Sequence, residues 1–298
     1  MLIRKLLGTP KQISGIALGA TLVLIHTMAV SSGAVCARLA LMHVHLAEYF
    51  CMTAWIAVAA ISPWAISQGW HSLYSQRWAM LFLRGVCLML ALGSFLASIA
   101  YLGLGQATLL KQTAPLYVPL LSTIMLKQPL RLMPLSSSLL GFIGVIIILH
   151  PKAGALNLGW LLGAESGALI GCAMVQASLF ANTDPAKRVS FFSLLTIAIV
   201  LTPLAWLSWS APSFSTLMLM VAGGVLWAID AAALTAAFYF AAPRVLAPFS
   251  YFAVVFAYIW GAIIFEEHLE WYLLAGGLLI AVSCICSCRA DKDGAKPL

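Results

Sequence analysis

Polar and ionisable side chains are scarce in this chain, so the few that interrupt its apolar stretches are the first candidates for chemistry. Between residues 105 and 126, Thr108, Lys111, Gln112, Pro115, Pro119 and Ser122 fall at offsets of 0, 3, 4, 7, 11 and 14. At about 100° per residue those offsets share one face of a helix, and the other faces carry mainly Leu, Val and Ala. Such a stripe suits the wall of a solute path. Lys111 and Gln112 can donate hydrogen bonds to a solute, and prolines such as Pro115 free backbone carbonyls that need protein or a watery cavity beside them. The plainer reading is a lysine that snorkels to the surface of a kinked helix.

A second stripe carries Glu165, Cys172 and Gln176 at offsets of 0, 7 and 11. Glu165 lies at about the depth of Lys111, which leaves substrate contact and a static Glu165–Lys111 pair both open. Proton coupling is a third reading, because burial favours the neutral carboxyl. Asp230 shares a face with Gly223, Trp227, Ala233 and Ala237. An isolated aspartate among small neighbours is hard to explain by packing, so Asp230 is a candidate solute contact. Tyr251 shares a face with Pro248 and Val255 and can offer a phenol hydroxyl to a cavity or simply pack. His26 and Arg84 complete the set as candidates for coupling or gating, along with Pro115 and Pro248. Each also has a structural reading, a satisfied imidazole for His26 and a snorkelling arginine for Arg84.

Other chemistry finds little support. The run Cys284-Ile-Cys286-Ser-Cys288 resembles a metal site, yet on a helix its middle cysteine points away from the other two and no histidine is near. Seven cysteines, an odd number and nearly all within apolar stretches, do not form a disulfide framework. Glu266, Glu267, His268 and Glu270 read as a solvated acidic turn. No G-x-x-x-x-G-K-[ST], H-E-x-x-H or G-x-S-x-G occurs, so neither ATP hydrolysis nor a known peptidase or hydrolase centre is indicated. No cofactor, no resident metal and no catalytic residue is expected.

The elements that position these residues follow from composition. The chain has 298 residues, 63% hydrophobic and 8% charged, with a mean hydropathy of +1.01. A soluble domain of that size needs about 25% charged residues to cover its surface, so the solvent is lipid. A helical span takes about 20 apolar residues. The runs predict ten spans, at 13–36, 47–66, 79–102, 105–126, 135–150, 159–181, 190–208, 216–240, 246–265 and 271–288. Arg4 and Lys5 before an apolar run imitate a signal peptide, but the run exceeds an h-region of about 7–15 residues and reads as span one.

The net charge of +7 does not indicate a nucleic acid. With the N-terminus inside, Arg4, Lys5, Lys11, Arg77, Lys127, Arg131, Lys187, Arg188, Arg244, Arg289, Lys292 and Lys296 lie on the inner side. Only Arg38 and Lys152 lie outside. Twelve against two is the positive-inside bias, and it puts both termini in the cytoplasm.

The chain also repeats itself. Span one opens Gly15-Ile-Ala-Leu-Gly19-Ala20 and span six opens Gly159-Trp-Leu-Leu-Gly163-Ala164. Ala100-Tyr101 and Ala237-Phe238 close spans three and eight, and Gly141 and Gly276-Gly277 recur in spans five and ten. Residues 1–150 and 151–298 therefore form two copies, and an odd number of spans in each copy inverts the second.

These segments resemble the EamA-type transporters of the drug/metabolite transporter superfamily. The first copy carries the likeness in Ala100-Tyr101, Leu109-Leu110, Pro115-Leu116-Tyr117, Lys127-Gln128-Pro129-Leu130 and Gly141-Phe-Ile-Gly144-Val145. The second carries it in Ala247-Pro248-Phe-Ser-Tyr251, Phe265-Glu266-Glu267-His268 and Gly276-Gly277-Leu-Leu-Ile280. The sequence departs from the pattern at Gln128, where a glutamate is usual, and at Met52, where an arginine is common. The resemblance implies an all-α integral membrane protein of ten helices, in two inverted five-helix repeats around a central cavity. It implies a secondary transporter or exporter of a small polar metabolite, with an amino acid or similar zwitterion suiting charges of both signs. The partners would be the solute, the lipid bilayer and a proton or other coupling ion, with the chain a monomer or homodimer. Short loops suit a bacterial cytoplasmic membrane. The alternative class is an intramembrane enzyme acting on a lipid or peptide.

Overall fold

The computed structural model describes residues 10–67, 73–102, 104–127, 129, 131–149, 157–181, 183–207, 209–266 and 271–292. Their regular structure is entirely helical. Spans one to three are α1 (Pro10–Ala40), α2 (Leu46–Ala65) and α3 (Trp78–Leu102). Span four divides into α4 (Leu104–Lys111) and α5 (Ala114–Met125). Spans five to eight are α6 (Leu132–Leu149), α7 (Leu158–Phe180), α8 (Ala186–Trp206) and α9 (Phe214–Phe240). Span nine runs through α10 (Pro243–Leu246), a 3₁₀ segment (Ala247–Tyr251) and α11 (Phe252–Phe265), and span ten is α12 (Trp271–Lys292). Among the described residues nine helical segments are long and apolar enough to cross a membrane. The divided span four makes the tenth, so the expected ten are present.

The predicted continuous helix over 105–126 is the main departure, and proline explains it. Pro115 has no N–H to donate, and its ring clashes with the carbonyl four residues back, which is that of Lys111. Helix α4 stops there, and α5 restarts at Ala114 with Pro115 in its first turn. Pro248 acts on span nine in the same way: its fourth residue back is Arg244, and the backbone passes into a 3₁₀ segment around it. Both spans end alike. Lys127 (φ 52°) and Glu266 (φ 54°) adopt left-handed backbone just beyond the last helical turns of spans four and nine, and no other described non-glycine residue has a positive φ. Starts are conventional by comparison. Asn157 caps α7 by accepting from Gly159 N at 2.9 Å, and Ser213 caps α9 by accepting from Thr216 N at 3.3 Å.

The bundle turns apolar side chains outward. Phe82, Leu83, Ile124, Leu204, Trp206 and Leu274 are all exposed, an arrangement that fits a lipid solvent. Serines and threonines inside the bundle satisfy their hydroxyls one turn back, as Thr53 does on Tyr49 O at 2.7 Å and Ser31 on Thr27 O at 2.9 Å.

Packing between spans is carried by glycines where backbones meet. A Cβ on Gly144 would sit 2.6 Å from the carbonyl oxygen of Gly276, and a Cβ on Gly276 would sit 2.5 Å from that of Gly144. Only glycine permits this reciprocal crossing of spans five and ten. The main pairings are one with eight and nine, two with seven and eight, three with six and seven, four with six, and five with ten. Advancing every span by five places returns the same set of pairs.

Candidate functional site

The helix break in span four opens onto a cavity of about 200 Å³ inside the bundle. Its walls come from spans one, three, four, six, seven, eight and nine. Span one contributes His26, span three Arg84 and Phe95, span four Lys111, Gln112, Ala114 and Pro115. Span seven brings Ser193, span eight Trp227, Asp230 and Thr235, and span nine Ser250. Leu88, Ala91, Ile170, Met174 and Leu194 make much of the remaining surface apolar. A mostly apolar recess with a few convergent polar groups is the usual form of a small-molecule site.

The charges are arranged in a definite way. His26 Nδ1 meets Asp230 Oδ1, a direct contact between the packed spans one and eight in the cavity wall. Arg84 is only 4% exposed and does not reach the surface. Its guanidinium donates to Ser193 Oγ and, at 3.5 Å, to Thr235 Oγ1, while its Nε is buried without a partner. The snorkelling reading of Arg84 is therefore set aside: the side chain is held inward by two hydroxyls. Lys111, the last residue of α4, places Nζ 4.8 Å from the centre of the Phe95 ring, a cation–π contact. It also interacts electrostatically with Asp230. Gln112 Nε2 and Ser250 Oγ are likewise buried without hydrogen-bond partners.

Six of the residues singled out by sequence thus meet in one place: His26, Arg84, Lys111, Gln112, Pro115 and Asp230. The others lie elsewhere. Glu165 is exposed on the outward face of span six, and the Glu165–Lys111 pair, one of the two readings left open, does not form. The cavity face of that helix carries Ile170, Ala173 and Met174, roughly 135° around the axis from the Glu165, Cys172 and Gln176 stripe. Gln176 donates to Cys172 Sγ at 3.6 Å, and Cys172 in turn donates to Met125 Sδ at 3.9 Å. Tyr251 is fully buried and donates to Ser138 O at 3.0 Å, fastening span nine to span five. A Cβ on Gly141 would lie 2.6 Å from the Tyr251 ring, so that glycine makes room for it. Pro248 shapes the 3₁₀ segment and does not line the cavity. Glu267, His268 and Glu270 lie outside the described residues.

Sequence reasoning missed Ser193, Thr235 and Ser250. A hydroxyl within an apolar span usually bonds to its own helix, as Ser193 also does with Val189 O at 2.7 Å, so nothing in the sequence set these three apart.

Fold and cavity define a class: a polytopic α-helical membrane protein with a charged central recess. Its likeness to known proteins is narrower. Residues 17–150 match the EamA-like transporter family, and the chain is similar to EamA-type transporters of the drug/metabolite transporter superfamily. It is 27% identical over 217 residues to the pseudopaline exporter CntI of Pseudomonas aeruginosa, covering 72% of this chain and 76% of that one. It is 24% identical over 233 residues to the S-adenosylmethionine uptake transporter of Rickettsia conorii, covering 77% and 78% respectively. The riboflavin transporter of Vibrio cholerae is 26% identical over 231 residues, covering 76% of this chain and 78% of its own. A crystal structure superposes with a TM-score of 0.78 at 20% identity over 95% of this chain and 99% of its own, a likeness of fold.

Proposed function

We propose that this chain is a secondary transporter that moves a small polar metabolite across a bacterial cytoplasmic membrane by alternating access, with both termini in the cytoplasm. The observation that carries the reading is the cavity within the bundle, where Arg84, Lys111, His26 and Asp230 converge from four spans. Ionisable groups at bilayer depth cost about 2.5–3.5 kcal/mol each on insertion scales, and such groups mark solute or ion pathways. The transport functions named for the relatives support the same class.

Alternating access is supported by the pairing of spans, which is unchanged when each is advanced by five. That is the pattern expected of two inverted repeats, residues 1–150 and 151–298, rocking about a site between them. The His26–Asp230 contact offers a place where a proton or other coupling ion could be exchanged for solute. Lys111, Gln112, Arg84 and Asp230 would hold the solute, while Glu165, Gln176 and Tyr251 would not.

The test is an untargeted metabolite comparison of cells expressing the intact chain, Asp230→Asn and Lys111→Ala at matched abundance. A small set of solutes relocated between cells and medium only by the intact chain supports transport and gives its direction. Equal redistribution by all three forms removes the cavity assignment. Chemical conversion of a solute in place of relocation would return the intramembrane enzyme, with His26 and Asp230 as its first suspects.

A further inference from the structure

The balance of groups in the cavity is one-sided. Arg84 and Lys111 are two cations, and Asp230, engaged by His26 and within electrostatic reach of Lys111, is the single carboxylate among the described residues that line it. Arg84 meets only neutral hydroxyls, Ser193 and Thr235, and its Nε has no partner. A guanidinium taken out of water needs a counter-charge, because neutral hydrogen bonds offset only part of its desolvation. Gln112 Nε2 adds a further buried donor without an acceptor, and Ser250 Oγ has no partner either. Of these three unpaired groups two can only donate, and the third, a hydroxyl, can serve either way.

A second, independent feature points the same way. Helix α5 begins at the cavity, where Ala114 and Pro115 are part of the lining, and its N-cap residue Thr113 makes no side-chain cap. Pro115 has no N–H and Leu116 N already donates to Thr113 O, so the start of this 12-residue helix offers an anion chiefly the Ala114 N–H and the field of the helix dipole. Half-helices that begin at a midplane site direct that charge at a bound solute.

Resting on the transport reading above, we infer that the cavity selects solutes of net negative charge, holding a carboxylate or phosphate oxyanion on the Arg84 guanidinium. Lys111 and the start of α5 face the same group, and Gln112 supplies a neutral donor. Arginine suits this role because its planar fork matches both oxyanions with paired hydrogen bonds. A zwitterion would leave the recess with an unmatched positive charge, since its ammonium must compete with His26 for Asp230.

The experiment measures thermal unfolding of the purified intact chain in detergent with five small probes: succinate, glycerol 3-phosphate, alanine, glycerol and putrescine. Succinate or glycerol 3-phosphate should raise the midpoint where the other three do not, and the better of the two identifies the oxyanion. Arg84→Gln should weaken the favoured anion at least about tenfold, the scale of a single charge-assisted hydrogen bond. Arg84→Lys, which keeps the charge and removes the fork, should retain the preference for anions with weaker binding. Equal shifts with all five probes, no shift with any, or an anion preference unchanged in Arg84→Gln would overturn the inference. Uptake into liposomes separates it from the transport reading. If the vesicles accumulate alanine or glycerol and not the anions, transport stands and anion selection falls. If the anions bind and no vesicle accumulates them, anion selection stands and transport falls.

Discussion

Spans four and nine take each other's place in the pattern of pairings when every span is advanced by five, and they have been used differently. Both are interrupted by a proline, Pro115 or Pro248, and both close on a left-handed residue, Lys127 or Glu266. The break in span four presents Lys111 and Gln112 to the cavity. The break in span nine presents only Ser250 and Ala253, while its large polar side chain, Tyr251, is turned back to bind Ser138 O. On the transport reading, a shared backbone device supplies a solute contact in span four and a fastening in span nine. The scaffold comes from what the halves have in common, and the site from where they differ.

The crossing of spans five and ten is the part of the scaffold most sensitive to substitution. Gly144→Leu or Gly276→Leu forces a side chain into the partner's backbone, so either should abolish folded, monodisperse protein on size exclusion from detergent. The two effects should be alike, because the crossing is reciprocal. Normal yield from one of them would mean that spans five and ten do not cross as described.

Next in size are changes at what differs. Lys111→Ala should reduce solute redistribution by at least about tenfold, the scale of one buried charge-assisted hydrogen bond, at unchanged protein abundance. Glu165→Gln, which alters a carboxylate at similar depth but on the outer face, should stay within about twofold of the intact chain. Reversal of that order would move the solute path to the opposite side of span six. Tyr251→Phe should cost about 1 kcal/mol of stability by removing the hydrogen bond to Ser138, read as a lower unfolding midpoint with transport retained.

The smallest expected effect lies in the loop between spans six and seven. Burial acts to raise the Asp184 carboxyl, but hydrogen bonds from Ser75, Arg188 and Thr183, with the Arg188 charge, outweigh it and hold the group below its usual range. A depressed carboxyl stabilises the fold above its unfolded pKa and ceases to do so as pH falls through the folded value. Unfolding midpoints of the intact chain should therefore fall on acidification below about pH 4, the ordinary aspartate range, and Asp184→Asn should lose that component.

Much of this was legible from residue order. Long apolar runs fix spans because lipid leaves no other partner for backbone groups, and Lys111, Asp230, His26 and Arg84 stood out because charge at depth demands a reason. Orientation was harder to read. Glu165 and Asp230 look equivalent in sequence, each a lone acid in an apolar helix, yet one faces outward and the other the cavity. A helix that is apolar all round has no polar face to set its rotation, so only packing decides, here through Gly163 and Gly167 against Leu110 and Thr113. The break in span four was written in Pro115, but a proline within a membrane helix can kink or stop it, and the sequence did not say which.

The most direct test of the central claim is access to the cavity from each side of the membrane. With the native cysteines replaced and metabolite redistribution verified, Ala231→Cys places a thiol in the cavity wall. It would be challenged with a membrane-impermeant thiol reagent in intact cells and in inverted vesicles. Labelling from both sides, slowed by the transported solute, is the expected result for a recess that opens alternately. Labelling from neither side, or from one side only and unaffected by solute, would contradict the account.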